Sequence, residues 1–564
     1  MHRIRLPRSV VARRPRRLGL LLVATLAASP VLAAHAADPQ QHAGQPLGTV
    51  EFPVSCNAGA QAAFDRALAL LHHMTYPQAR EAFRASASAD PTCAMAHWGV
   101  AMTLFTPLWP TRPDAAALQE GWREVELARS LAPEDVRERG FIAAAGAFFR
   151  DPEQSDYWVR VRRWEAAQAD LYDAFPDDVE VATFHALAHM AGAPPTGDEA
   201  RQRAERAAAI LVAMHQAHPG HPGAMHYLVH ANDVPGREHE SLDVTRRYDA
   251  AAPRNPHALH MPTHIYTRLG DWDRVISGNR RAAEAALEHP AGDRGQFVWD
   301  EFAHAIEYLV YAHLQQGDDV AAAGEMARLR AVPNLQPSAK TAFHLASIPS
   351  RLALERGDWA AAASLEPRQP GSLDWDRNTW PEAIVRFARG TGAARRQELA
   401  EARLQRARLG DLEAATRANG EDLFANHVRV LALALDGWIA QAAEDPTTAR
   451  TRLEEAARLE ASIPKPPVTP GPTLPAYEML GDLLSLQQSH AQALAAYEQA
   501  LSLYPNRFNS LLGAARAAEA AGEKTIAKRH YEGLLAVAAH ATRPTPMAEA
   551  RAYIGRDQQA PDRP

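Results

Sequence analysis

The feature that most restricts this chain is a helical pattern that recurs along it at a fixed step. Counting from Leu474, the residues Tyr477, Leu480, Gly481 and Leu484 fall on one helical stripe and Ala493, Tyr497 and Ala500 on a second, with Pro505 closing the unit. Another unit starts at Phe508 and repeats the pattern more loosely with Ala514, Ala515, Ala527 and Tyr531. Upstream, the stretch 60–93 ends with Ala79, Phe83 and Pro91 at matching places. Met261-Pro262-Thr263 leading to Gly270-Asp271-Trp272 aligns without a gap on Ile348-Pro349-Ser350 leading to Gly357-Asp358-Trp359, so these are internal copies. The Gly-Asp-Trp step suits a tight turn between two helices: glycine tolerates the turn and tryptophan packs the second helix. Alternating β-branched runs are few, so the pattern predicts an all-α fold.

Within a unit, the marked residues occupy positions 4, 7, 8, 11, 20, 24, 27 and 32. This resembles the tetratricopeptide repeat (TPR), a helix–turn–helix of about 34 residues. The resemblance is strong over 474–541 and partial over 57–365, while 366–463 reads as helices without a clean register. It implies a solenoid of TPR-like helical hairpins, wound as a right-handed superhelix and ending in a C-terminal TPR pair. The histidine-bearing segments described below also resemble those of exported bacterial TPR proteins, a likeness that carries no activity with it.

Residues 1–36 read as a secretory signal peptide. Seven arginines from Arg3 to Arg17 precede the short apolar run Leu18–Ala28, and Ala34-His35-Ala36 offers a small-x-small cleavage site. The arginine pairs leave the twin-arginine route open beside the general one. A periplasmic or secreted location follows, and no later stretch is expected to be long enough to span a bilayer. Removing those arginines takes the formal charge from −7 to −14, which disfavours nucleic acid and anionic lipid as partners. In an oxidising compartment Cys56 and Cys93, the only cysteines, are expected to form one disulfide, with metal ligation by two thiolates as the alternative. The expected layout is then an extended segment at 37–56, the solenoid over 57–463, a linker at 464–475 with six prolines, two TPR units over 474–541, and a tail at 542–564. Residues 106–114 read as an inserted loop.

Fifteen of the 25 histidines lie between His185 and His344, and they keep the repeat register. His226 and His230 are four apart and share a helix face; His260 and His264 repeat the pair 34 residues later. His185 and His189 form a third pair, 41 residues before the first. With the turn glycines Gly236, Gly270, Gly317 and Gly357 set at position 15, His226, His230 and Asp233 take positions 5, 9 and 12. His257, His260 and His264 take 2, 5 and 9 of the next unit; His304, Glu307 and Tyr311 take the same places after that, followed by His344, Ser347 and Arg351. These positions form a stripe distinct from the apolar one. In TPR proteins the corresponding stripe lines the concave groove, so the resemblance implies a groove paved with imidazoles and bordered by Asp233, Glu307, Tyr311 and Arg351.

Such a groove is expected to bind a ligand, and the chemistry points to a transition metal. Neutral imidazole with carboxylate suits Zn, Cu(II), Ni or Fe. His226, His230, His260 and His264 are the expected core ligands of one ion, with His257, Asp233, His304 and Glu307 as further ligands or supporting groups. His185, His189, His344, Tyr311 and Arg351 would line the remaining groove. His215, His218, His221 and His239 fall outside the stripe and are expected to be solvated; His313 falls at a buried position. Pro262 and Pro349, at position 7, should each kink a helix. Two further readings use the same stripe: a scaffold binding a protein or peptide without metal, and a metal-dependent enzyme. No phosphate loop, dinucleotide fingerprint, nucleophile elbow or H-E-x-x-H is present. Glu301-x-x-His304 has the spacing found in di-iron bundles but no second copy.

Overall fold

A computed structural model describes residues 44–108, 112–153, 156–194, 197–292 and 295–559. The signal-peptide assignment at 1–36 lies outside these residues, as does part of the loop expected at 106–114. What is described is an all-α array of helical hairpins, as the pattern predicts. The only strands among the described residues are Pro290–Ala291 and Phe297–Val298, an antiparallel pair in register Pro290 to Val298.

The hairpin turns explain why the repeat folds. Gly236, Gly270, Gly317 and Gly357 all have positive φ, between 63° and 84°. After three of them an aspartate caps the next helix: Asp271 accepts from Arg274 N, Asp318 from Ala321 N and Asp358 from Ala361 N. Trp272 then buries its ring edge-on to Tyr311. Hairpins continue through the stretch without a clean register, as Thr379–Arg395 with Leu399–Ala418 and Asp422–Ala442 with Pro446–Ser462. Asp422–Ala442 corrects one expectation, because it is long and apolar enough to cross a membrane. Its apolar face is instead spent on the core, where Val428, Leu431, Leu435 and Trp438 are buried.

Three other segments depart from their assignments. The expected tail holds the helix Pro544–Gln559, which buries Met547 and Ala550 against Tyr531. Of the prolines, Pro262 separates helix Pro256–His260 from Pro262–Leu269, but Pro349 sits inside the unbroken helix Ala339–Glu355. The 464–475 segment is no exposed linker. Val468, Thr469, Pro470 and Gly471 are buried, and Arg351 donates to the carbonyls of Gly471 and Pro472 at 3.1 and 2.6 Å.

The C-terminal units also fold back onto the middle repeats. Trp272 Nε1 donates to Asn506 O (2.8 Å), and Thr542 N donates to Gly317 O (2.9 Å). Arg507, fully buried, pairs with Glu355 and Glu478 and donates to the Tyr311 hydroxyl. At the other end the extended chain before the first helix packs Phe52 between Phe64 and Phe141. Cys56 and Cys93 are joined as a disulfide beside it.

Candidate metal centre

Most of the histidine stripe lies inside the protein, with His230 half-buried. His226, His257, His260, His264, His304 and His344 are all buried, as are Glu307, Tyr311 and Arg351. This corrects the open groove expected from the stripe: the chain's own 464–475 segment and first helix cover it. Arg351 holds the former, and His226 Nδ1 donates to His72 O (2.6 Å) in the latter.

The rings sort into two triads, His226–His230–His257 and His260–His264–His304. In each, one ligand atom from every residue lies within 4.8 Å of the others. The four residues expected around one ion are thus divided. Each i,i+4 pair is completed by position 2 of the following repeat rather than by its sister pair, and the His230 and His264 rings stay 6.3 Å apart. Position 2 opens the first helix of its unit, beside the 5 and 9 pair of the helix before it.

Hydrogen bonds fix which nitrogen each ring offers. Asn279 spends its amide nitrogen on Thr263 Oγ1 and Val275 O, so its Oδ1 accepts from His260 Nδ1 at 2.7 Å. His264 Nδ1 donates to Asp233 Oδ2 (2.8 Å). Glu307 Oε2 accepts from His344 Nδ1 at 2.5 Å, which leaves His344 Nε2 to accept from His304 Nδ1 (3.2 Å). All three rings therefore offer Nε2 as an acceptor, and at His264 the Tyr308 hydroxyl lies 3.4 Å from it. His260 Nε2 and His264 Nε2 face each other at 2.9 Å with no proton to share. Two imidazoles bound to one ion at bonds of about 2.0–2.1 Å stand roughly 2.9–3.4 Å apart. In the other triad His226 Nε2 and His230 Nε2 are buried without a hydrogen-bond partner, and His257 Nδ1 faces Glu301 Oε1 at 3.6 Å.

Burial lowers the pKa of five of the six triad imidazoles, which favours the neutral form that coordinates metal. It pushes His230 down to about 3, aided by neighbouring imidazoles, and holds His226, His260 and His304 well below the ordinary histidine range. Asp233 and Glu307, expected from sequence as further ligands or supporting groups, lie outside both triads and accept from His264 and His344. Burial would raise Asp233, but Arg268 and Lys465 outweigh it and hold the carboxyl well below its usual value. Glu307 is occupied by His344, Ser347 and Arg351.

The other expected groove residues go elsewhere. His185 stacks on Tyr172 with ring centres 4.6 Å apart, and His189 pairs with Glu165. Tyr311 lies between Arg351 and Arg507. His221, expected in solvent, is 2% exposed: its Nδ1 caps helix Pro222–Asn232 and its Nε2 donates to Glu180. With His72 it forms a third group around Glu180, one whose ring nitrogens are all engaged, Tyr227 taking the last. That accounting marks it as structural. Sequence reasoning missed Asn279 and Tyr308, whose hydroxyl lies 3.4 Å from His264 Nε2.

No family model matches this chain, and no curated protein matches it. Among solved structures, yeast Tom70 aligns at 10% identity over 89% of this chain and 97% of its own, with a TM-score of 0.29. Naa15/Naa10 bound to HypK-THB aligns at 12% identity over 89% of this chain and 93% of that one, with a TM-score of 0.24. Scores this low carry no argument about function.

Proposed function

We propose that this is an exported TPR-repeat protein that holds a transition metal in the buried triad His260, His264 and His304. One observation carries the reading: two Nε2 lone pairs meet at 2.9 Å, each ring held from behind by an oxygen that accepts from its Nδ1. Outer partners of this kind orient metal-bound histidines and raise their basicity. A site of neutral imidazoles without thiolate fits Zn, Cu, Ni or Fe. Export rests on the arginine-rich start, the apolar run and the cysteine pair. As a protein-binding scaffold the chain would need a surface other than the histidine stripe, because its own 464–475 segment occupies that stripe.

A second reading, a metal-dependent enzyme, draws on Tyr308. Three histidines leave a fourth coordination position open, and the Tyr308 hydroxyl beside His264 could donate a hydrogen bond to whatever binds there. Elemental analysis of the full chain, expressed untagged and purified without chelator, tests the main reading. Near-stoichiometric transition metal, lost in His264→Ala, is expected. A metal-free chain that takes up no added Zn2+ would contradict it.

A further inference from the structure

The repeat rule that builds the His260 triad builds another one unit earlier. Positions 5 and 9 of one repeat and position 2 of the next supply His226, His230 and His257 in the first case, and His260, His264 and His304 in the second. We infer that the chain binds two first-row transition-metal ions, one at each of these successive junctions, on adjacent all-imidazole triads. The inference rests on the reading of the His260 triad given above and extends it to a second, independent ion.

The first triad has its own grounds. His226 Nδ1 is committed to His72 O, so its Nε2 is the lone pair, and that atom is buried without a partner. His230 Nε2 is in the same condition. A buried ring nitrogen without a hydrogen-bond partner calls for an ion, a ligand or a water to supply what is missing. Contrast the fully buried His72–Glu180–His221 group, in which hydrogen bonds account for every ring nitrogen.

The same rule says why these two junctions differ from their neighbours. One repeat later the equivalent places hold Glu307, Tyr311 and His344. There Glu307 accepts directly from His344, and the Tyr311 hydroxyl accepts from Arg507, so no lone pairs converge. One repeat earlier the pair His185 and His189 lacks a third member, because position 2 of the next unit is Gly223. The His72 ring fills that space, and a Cβ on Gly223 would come within 2.4 Å of its Nδ1. Between the two complete triads the rings nearly touch, with His257 and His260 centred 6.2 Å apart and His230 and His264 6.3 Å apart. The two ions would therefore be close neighbours, reached by one ligand set that holds no carboxylate.

Titration of the untagged, metal-stripped full chain with Zn2+, with bound metal measured after dialysis, separates the possibilities. Two ions per chain are expected, falling to one in His230→Gln, one in His304→Gln and none in the double variant. Circular dichroism melts of the apo proteins establish that each variant is folded, and the wild-type stoichiometry needs no variant at all. A wild-type value of one ion, kept in His230→Gln and lost in His304→Gln, would overturn the second site and leave the proposed function standing. Loss of all metal from either single variant would overturn independent sites. No binding by the wild type would remove both readings.

Discussion

Asn279 accepts from His260 only because its amide nitrogen is already spent on Thr263 and Val275. Asn279→Ala should therefore leave the triad in place but free the His260 ring to turn and to change tautomer. Metal affinity is expected to fall by about 10–100-fold, as losses of such outer partners do, measured by competition with a chromophoric chelator. A second residue-scale prediction concerns protons. Burial pushes Glu460 up to about 8 and Asp482 up to about 7, whereas both ionise near 4 in an unfolded chain. Above roughly pH 4.5 the folded chain keeps protons that the unfolded chain has lost, so stability falls as pH rises, until each group ionises in the fold. The slope is at most about 1.4 kcal/mol per pH unit per group. Glu460→Gln should flatten its share between pH 6 and 8 in thermal melts, and an unchanged slope would refute the assignment. The histidine register shows how much the sequence itself contains. The i,i+4 spacing and the 34-residue step mark His226–His230 and His260–His264 as equivalent pairs, but do not say that His257 and His304 of the following repeats complete them in place of the sister pair. Asn279 and Tyr308 were not legible, because nothing in their own neighbourhoods marks them as facing an imidazole.

Hairpins, turns and caps follow from local pattern, and here the sequence is a close guide. The Gly-Asp step predicts both the left-handed residue and the helix cap, and the structure has both at Gly270-Asp271 and Gly357-Asp358. The 464–475 segment is the opposite case. Its prolines say that it is extended but not where it goes, since its anchor Arg351 lies more than a hundred residues away. A periodic pattern encodes neighbours one repeat apart; contacts between distant repeats depend on how the whole array winds. Arg351→Met should free this segment, since it removes the donors to Gly471 and Pro472 and strips Glu307 of its cation. The expected cost is about 3–5 kcal/mol, the range for breaking a buried ion pair from one side. Faster amide exchange at Val468, Thr469 and Gly471 is the measurement, and unchanged protection there would show that Arg351 does not anchor the segment. For the same reason Gly270 should resist substitution: a Cβ there meets Pro505 O at 2.8 Å, on a backbone with φ of 66°.

Over the whole molecule, the closing contacts turn a stripe that would face solvent into an interior. Arg507 is central to that closure, joining the last repeats to Glu355 and Tyr311 of the middle ones. Arg507→Ala leaves Glu355 and Glu478 without their buried cation, and a loss of about 3–5 kcal/mol is expected in denaturant melts. A loss below about 1 kcal/mol, the range of exposed pairs, would show that the closure is incidental. The closure matters for chemistry because it buries most of the imidazoles, which favours the neutral form that binds metal without carboxylate ligands. The central claim is that this sealed interior is a metal site built by the repeat. An anomalous difference map from crystals of the full chain grown with Zn2+, collected at the zinc edge, tests it most directly. The account predicts two peaks, one within bonding distance, about 2.0–2.1 Å, of a ring nitrogen from each of His260, His264 and His304, the other placed likewise among His226, His230 and His257. Zinc found only at surface histidines such as His218 or His239, with both triads empty, would contradict it.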